Sequence, residues 1–254
     1  MPRKIILRTL TLVALLLPSA LRADETNNWS FEIAPYLWVA GLEAEASVPE
    51  APGLQGLGTG SARSVQDFDT RISGGFMVAA QAQYRSVGLL VDFNWLRLNT
   101  ESVNPGTLYS SVNLRSDFFY NTAALTYELP LRGKFHAEVQ AGARIWSVST
   151  DFEMESGELP GFQSSNSETW VNGLVGVALR YDLTRHWVLI GRGTVGGFSN
   201  SSIQWDLFAG VGYQFSNWCM ATLGYRYLYE DYTHDSFTFN ARANGALLGV
   251  VFRF

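Results

Sequence analysis

The sequence predicts an all-β fold: a single up-and-down antiparallel transmembrane β-barrel of about ten strands, with eight or twelve strands as the alternatives. Three observations lead to this prediction. Apolar residues alternate with more polar ones along most of the chain, which is the period of a β-strand. Aromatic residues make up 14% of the chain and charged residues only 16%. Beyond the amino-terminal segment, no apolar run approaches the roughly 20 residues that a membrane helix needs.

The amino-terminal segment has the features of an export signal. Basic residues precede and interrupt an apolar run over residues 5–17, and small residues follow as far as Ala23. We predict a signal peptide over residues 1–23, with cleavage after Ala20 as the alternative, and one barrel domain over residues 24–254. A membrane anchor is the other interpretation, but the apolar run is too short to span the hydrocarbon core.

The charge of the exported chain excludes one class of function. The signal segment carries four basic residues and no acidic one, so 14 basic and 23 acidic residues remain and the net charge is −9. A nucleic-acid-binding domain would need a basic surface instead. The single cysteine, Cys219, cannot form an internal disulfide, so the exported chain must be stabilised in another way.

Each predicted strand is a stretch in which apolar residues alternate with more polar ones. Between Trp29 and Val39 the odd-numbered positions are apolar, and Pro35 indicates a bulge or a missing ladder hydrogen bond. The ten predicted strands are 29–39, 71–85, 89–100, 111–129, 135–152, 168–182, 187–198, 202–215, 218–229 and 237–254. The long segment 43–70 could hold another hairpin, which leaves the strand count open.

The connections alternate in length along the chain. Short ones are 86–88, 130–134, 183–185 and 216–217; the mostly longer ones are 43–70, 101–110, 153–167, a tight 199–201, and 230–236. Outer-membrane barrels have short periplasmic turns and longer outer loops, so both termini are predicted on the periplasmic side. Aromatic residues gather near both strand ends, as expected at two water interfaces.

Charged residues at inward positions predict ion pairs inside the barrel. Counted from the short-turn ends, Glu138 and Arg180 lie at the same height and are expected to face each other. Asp206 lies near mid-height between the strands of Arg192 and Arg226, which predicts a cluster of two arginines and one aspartate.

A further pair tests whether the sheet closes. Glu32 is on the first strand and Arg253 on the last, and they meet only in a closed barrel.

The inward charges have two interpretations: a selectivity zone in a narrow aqueous pore, or ion pairs that fill a lumen barely wide enough for its own side chains. A count near ten strands favours the second.

A catalytic site is the alternative hypothesis. The segment 230–235 contains His234 among acidic residues in the last outer loop, where an acidic partner could orient a histidine as general base. Asp67 and Asp69 could complete such a site across the mouth. A solvated acidic loop is the favoured interpretation. The three histidines lack metal-ligand spacing and no G-x-S-x-G motif is present, so no metal or cofactor is predicted.

The carboxyl terminus, Leu248 to Phe254, resembles the signal that the barrel-assembly machinery of Gram-negative bacteria recognises, with Phe252 and Phe254 as its aromatic residues. The chain from residue 24 on resembles the small outer-membrane barrel superfamily that includes the OmpA-type and OmpW-type barrels. The segments that are similar to a narrower group of proteobacterial outer-membrane proteins with no assigned activity are 34–38, 196–198, 224–228 and 244–245.

The resemblance implies a cell outer-membrane location and a fold, but no activity. It also implies two partners: outer-membrane lipid with lipopolysaccharide around the barrel, and the barrel-assembly machinery during biogenesis. We therefore expect a noncatalytic integral barrel that is either a narrow porin-like channel or a structural or surface-interaction protein. A barrel hydrolase acting on lipid or peptide at the outer rim is the alternative, and no surface partner can be named.

Overall fold

A computed structural model describes residues 28–46, 69–103, 109–156, 160–197, 202–234 and 237–254. Ten strands follow one another in this part of the chain: β1 Trp29–Ala46, β2 Asp69–Tyr84, β3 Val87–Val103, β4 Tyr109–Glu128, β5 Phe135–Ser156, β6 Phe162–Asp182, β7 Trp187–Gly196, β8 Ile203–Ser216, β9 Cys219–His234 and β10 Phe237–Arg253. None of the described segments is a helix long and apolar enough to cross a membrane. The signal segment 1–23 lies outside the described residues and stays a prediction.

The ten strands form a closed antiparallel barrel, which confirms the predicted fold class and strand count. Every strand pairs with its neighbours in the chain, and β1 pairs with β10 from Glu32–Arg253 to Ala46–Phe239. The main chains of Phe31 and Phe254 exchange both hydrogen bonds, at 3.1 and 2.9 Å. Closure pairs the backbones of β1 and β10 along most of this seam, which matters most where no water is available.

Pro35 interrupts this ladder without shifting it. Ile33 pairs with Phe252 and Tyr36 with Gly249, so the register is the same on both sides of the two unpaired residues. A proline has no N–H to donate, which accounts for a local gap. The alternation had left open a bulge or a missing hydrogen bond, and the structure shows a gap with no change of register.

Several strands run further than the alternation predicts, mostly away from the short turns, although β3 also begins two residues earlier, at Val87, on the short-turn side. β1 continues to Ala46, β5 to Ser156 and β9 to His234, while β6 begins at Phe162. We call this side the loop end and the opposite side, with turns such as 85–86 and 183–186, the short-turn end. The added parts of β5, β6 and β9 have largely polar residues at both alternating sets of positions, so hydrophobic periodicity does not report them.

The outer wall is apolar, and the interior contains buried polar and charged side chains as well as aromatic ones, unlike the apolar core of a soluble protein. Leu37, Val39 and Leu125 face outward with 62%, 64% and 65% of their surface exposed. Asn94 and Gln204 point inward and are fully buried. This is the distribution expected of a barrel whose outer face contacts lipid.

Candidate functional site

An ion-pair cluster crosses the lumen near mid-height. Asp206 on β8 accepts hydrogen bonds from Arg226 on the neighbouring β9, with Nε 2.9 Å from Oδ1 and Nη2 2.7 Å from Oδ2. Arg144 on β5 also reaches Asp206, with Nη2 2.7 Å from Oδ2. All three side chains are buried. A carboxylate held by two arginines through charge-assisted hydrogen bonds forms a rigid bridge between separated strands.

Arg226 extends the cluster to the other side of the barrel. Its Nη2 lies 3.6 Å from Oδ2 of Asp92 on β3, and its Nη1 donates to the Tyr36 hydroxyl on β1 at 3.0 Å. That hydroxyl lies 2.8 Å from Oδ1 of Asp92 and 2.6 Å from Oδ1 of Asn94. Two arginines thus meet two aspartates and the charges balance. We call Asp92, Arg144, Asp206 and Arg226 the arginine–aspartate cluster.

Aromatic side chains fill the lumen on the loop side of this cluster. They come from six of the ten strands, and we call them the aromatic plug: Trp38, Tyr120, Trp146, Trp170, Tyr232 and Phe239. The rings stack in sequence, with centroids 5.1 Å apart for Tyr120 and Trp146, 5.9 Å for Trp146 and Trp170, and 4.5 Å for Trp170 and Tyr232. Packing of this kind closes a lumen as a protein core would.

Glu230 lies within the same part of the lumen. The sequence had placed it in an outer loop, but it belongs to β9 and its side chain is fully buried. Its Oε1 accepts hydrogen bonds from Trp170 Nε1 at 3.0 Å and Asn172 Nδ2 at 2.6 Å. Glu230 therefore helps to hold the plug and does not face solvent. The side chains of His234 and Asp69, and all of Asp67, lie outside the described residues.

On the other side of the cluster the lumen is hollow. A cavity of about 560 Å³ lies between the arginine–aspartate cluster and the short-turn end, and we call it the cup. His136 and Glu128 stand at its mouth with 45% and 43% of their side chains exposed, so the cup opens at that end. Arg180 and Asp182 form an ion pair at the rim, with Nε 2.9 Å from Oδ1.

Comparison with known proteins relates this architecture to that of solved outer-membrane barrels. No protein-family model and no curated protein matches the chain. Among solved structures, the outer-membrane protease OmpT from Escherichia coli matches with a TM-score of 0.50 and 9% sequence identity over 90% of this chain and 98% of that one. The chain has the fold of the outer-membrane β-barrels. At this identity the likeness concerns the fold alone.

Two further solved structures match less well. Neisserial surface protein A has a TM-score of 0.36 and 16% identity, over 90% of this chain and 98% of that one. The attachment invasion locus protein Ail of Yersinia pestis has a TM-score of 0.35 and 11% identity, over 90% of this chain and 99% of that one.

Within this outer-membrane barrel fold, the structure brings some of the predicted residues together. Arg253 Nε lies 2.6 Å from Glu32 Oε1 across the closing seam, and Asp206 binds Arg226. Phe252 stacks on Trp218 with centroids 6.2 Å apart at the short-turn end.

The predicted pair of Glu138 and Arg180 does not form. Glu138 lies opposite Ala178, and Arg180 lies opposite His136, two residues nearer the turn. Glu138 Oε2 instead accepts a hydrogen bond from Gln81 at 2.7 Å. The prediction compared heights counted from the ends of the strands. The strands of a closed barrel are tilted and staggered, so residues at equal counted heights on neighbouring strands do not lie opposite each other.

The same stagger removes Arg192 from the mid-height cluster. Thr194 is the residue opposite Asp206, and Arg192 lies opposite Phe208, two positions closer to the short-turn end. Arg144 on β5, three strands away from Asp206, occupies the position in the cluster that was predicted for Arg192. Sequence reasoning missed it because a contact between non-neighbouring strands leaves no local pattern.

A sequence signal for the plug did exist. Trp38, Trp146 and Trp170 occupy even-numbered positions on their strands, whereas the outward-facing Trp187 and Trp205 occupy odd-numbered ones. A tryptophan in the inward register indicates a lumen that is packed with rings and not filled with water.

Proposed function

We propose that the protein is a noncatalytic integral barrel of the outer membrane whose lumen does not conduct, which favours the structural or surface-interaction role over the porin-like one. The observation that carries the proposal is the stacked aromatic plug directly above the arginine–aspartate cluster. An ion would have to displace buried rings and then break charge-assisted hydrogen bonds to pass both layers. Both are costly rearrangements in a packed interior.

Insertion in a membrane is supported by the outer wall. Apolar side chains cover its middle, and aromatic residues such as Trp29, Tyr84 and Trp187 are exposed at the short-turn end. This arrangement matches an apolar band bordered by aromatic girdles. We propose export through the signal peptide of residues 1–23 and insertion by the barrel-assembly machinery, which recognises the terminal strand with Phe252 and Phe254.

Lipopolysaccharide is the proposed lipid partner at the loop end. Arg97 lies on the outer wall just beyond the ring of Trp95, with its guanidinium carbon 5.4 Å from the ring centroid. Its Nε also lies 2.7 Å from Asp117 Oδ1, and the exposed Arg115 is on the same side. An arginine held in place and an exposed arginine on the same side are suited to phosphate groups of the outer leaflet.

Planar-bilayer recording tests the closed lumen. Purified, refolded protein is expected to leave the bilayer conductance at the level of protein-free detergent controls, while a known porin refolded in parallel gives channels. Gel migration before and after boiling verifies that the sample is a folded barrel. Discrete, reproducible conductance steps from the folded fraction would refute a closed lumen and restore the porin-like interpretation.

A separate experiment tests the proposal that the protein is noncatalytic. Purified protein is incubated with lipopolysaccharide and with a peptide library, beside the His234→Ala variant. No product is expected from either protein. Product formation by the unaltered protein that is lost in His234→Ala would establish the hydrolase alternative, in which that histidine serves as general base.

A further inference from the structure

One wall of the cup carries polar atoms without partners. Gln140 on β5, Gly176 on β6 and Thr194 on β7 lie opposite one another in a single row. Gln140 and Thr194 line the cup and are only 5% and 6% exposed. Gln140 Oε1 and Thr194 Oγ1 have no hydrogen-bond partner among the described residues. Buried polar groups nearly always have partners, so this row is suited to receive one.

Arg144 forms part of the roof of the cup. It is 2% exposed; its Nε binds Thr122, its Nη2 binds Asp206, and its Nη1 has no partner within the described part of the chain. Because Nη1 is itself buried, Arg144 closes the roof and is not open to a ligand in the cup. The positive charge that a ligand could contact must come from another residue.

Arg192 supplies a positive charge on the same wall that no carboxylate contacts directly. The other arginines that line the cup, Arg144, Arg180, Arg226 and Arg253, each have a carboxylate partner. Arg192 forms no ion pair or hydrogen bond with any described residue. Glu138 lies across Ala178 from it, close enough for the two charges to interact, but the Glu138 carboxylate is bonded by Gln81 Nε2 at 2.7 Å.

Much of the remaining lining is apolar. Leu90, Ile190, Phe208, Met220 and Leu247 contribute to it. The volume of about 560 Å³ lies within the range of roughly 300–1,000 Å³ that small-molecule sites occupy. The cup thus combines apolar side chains with charged and polar ones, so it can hold a ligand that has both an apolar and a charged part.

We propose that the cup binds a small organic acid that enters from the short-turn end. Its carboxylate pairs with Arg192, and its apolar body contacts Ile190, Phe208 and Met220. Gly176 allows the strands of this row to pack closely, because a Cβ there would lie 2.5 Å from Gly193 O, 2.7 Å from Thr194 Cγ2 and 2.8 Å from Gln140 Nε2. This inference goes beyond the proposed function and does not depend on the absence of conductance.

Calorimetric titration with 4-phenylbutyrate tests the proposal. The barrel is refolded into lipid nanodiscs, and heats from empty nanodiscs are subtracted. Saturable binding is expected, and the uncharged amide 4-phenylbutyramide is expected to bind at least about tenfold more weakly because it lacks the charge that Arg192 recognises. The absence of saturable binding, or equal affinity for acid and amide, would overturn the proposal.

Variants locate the site. Arg192→Gln should weaken 4-phenylbutyrate binding at least about tenfold, and Ala178→Phe, which fills the cup beside Arg192, should abolish it. The matched control is Arg185→Gln, which removes an arginine from an exposed turn outside the cup. If all three variants bind like the parent, the acid does not occupy the cup and the proposal fails. Should Arg192→Gln not refold, Ala178→Phe and the acid–amide comparison still decide the question.

Discussion

The side chains of Glu32 and Arg253 join the first strand of the barrel to the last, with Arg253 Nε 2.6 Å from Glu32 Oε1. The two residues are also backbone partners in the ladder that closes the sheet. Their side chains remain 39% and 26% exposed at the mouth of the cup. An ion pair in such a position is screened by water, so the backbone ladder contributes most of the closure.

Removal of this ion pair is expected to have a small effect. Glu32→Gln should lower the free energy of unfolding by about 0.2–1 kcal/mol, the usual contribution of an exposed pair. Urea titration of the refolded barrel, followed by tryptophan fluorescence, measures it. Arg253→Gln and the double variant complete a cycle that isolates the pair. A barrel that fails to fold in Glu32→Gln would show that the ion pair is required for closure.

Loss of the central carboxylate should be far more damaging. Asp206→Ala leaves the buried guanidinium groups of Arg144 and Arg226 without their shared acceptor, and breaking a buried pair in this way costs about 3–5 kcal/mol. The unfolding midpoint in urea provides the measurement. Asp182→Ala is the matched control, since this aspartate is 32% exposed at the rim and should cost less than about 1 kcal/mol. Equal losses for the two variants would contradict a buried cluster.

Truncation of the plug should destabilise the barrel without opening it. Trp170→Ala removes a ring stacked between Trp146 and Tyr232 and also a hydrogen-bond donor to Glu230. A loss of about 3–5 kcal/mol is expected for a buried aromatic residue. Conductance should stay at baseline, because the arginine–aspartate cluster still crosses the lumen.

The control for the plug is Trp205→Ala, which removes an outward-facing ring that is 48% exposed. It should destabilise the barrel less than Trp170→Ala does. If Trp170→Ala instead produces ion channels, the plug alone seals the lumen and the cluster below it is permeable.

The sequence predicts the fold well because alternation reports directly which residues face outward. A strand in a barrel has one apolar face, and the pattern of Trp29 to Val39 shows it without reference to any other strand. The closing pair of Glu32 and Arg253 is also predictable. Glu32 lies near the start of the first strand and Arg253 at the end of the last, and these two strands must pair to close the barrel.

The site is less predictable because it depends on stagger and on distant strands. Counting residues from strand ends gives the wrong relative heights for Arg192 and Arg180, because the strands are tilted. Arg144 joins Asp206 across β6 and β7, a contact without a local signal. Because Arg192 lies closer to the short-turn end than Asp206, no carboxylate contacts it directly.

The closing seam also depends on a glycine that tolerates no side chain. Gly245 on β10 faces inward, and a Cβ there would run into the backbone of β1 at Val39 and Ala40. Backbone atoms of a closed ladder cannot move aside independently, so Gly245→Ala should reduce the fraction of protein that refolds to the heat-modifiable form on gels. Gly249→Ala on the same strand is the comparison, because its nearest neighbours are side-chain atoms, Thr222 Oγ1 at 2.9 Å and Tyr36 Cβ at 3.1 Å. The Thr222 hydroxyl can rotate away, so refolding should be affected less. A Gly245→Ala protein that refolds as completely as the parent would show that β1 and β10 are not packed as closely as the structure has them.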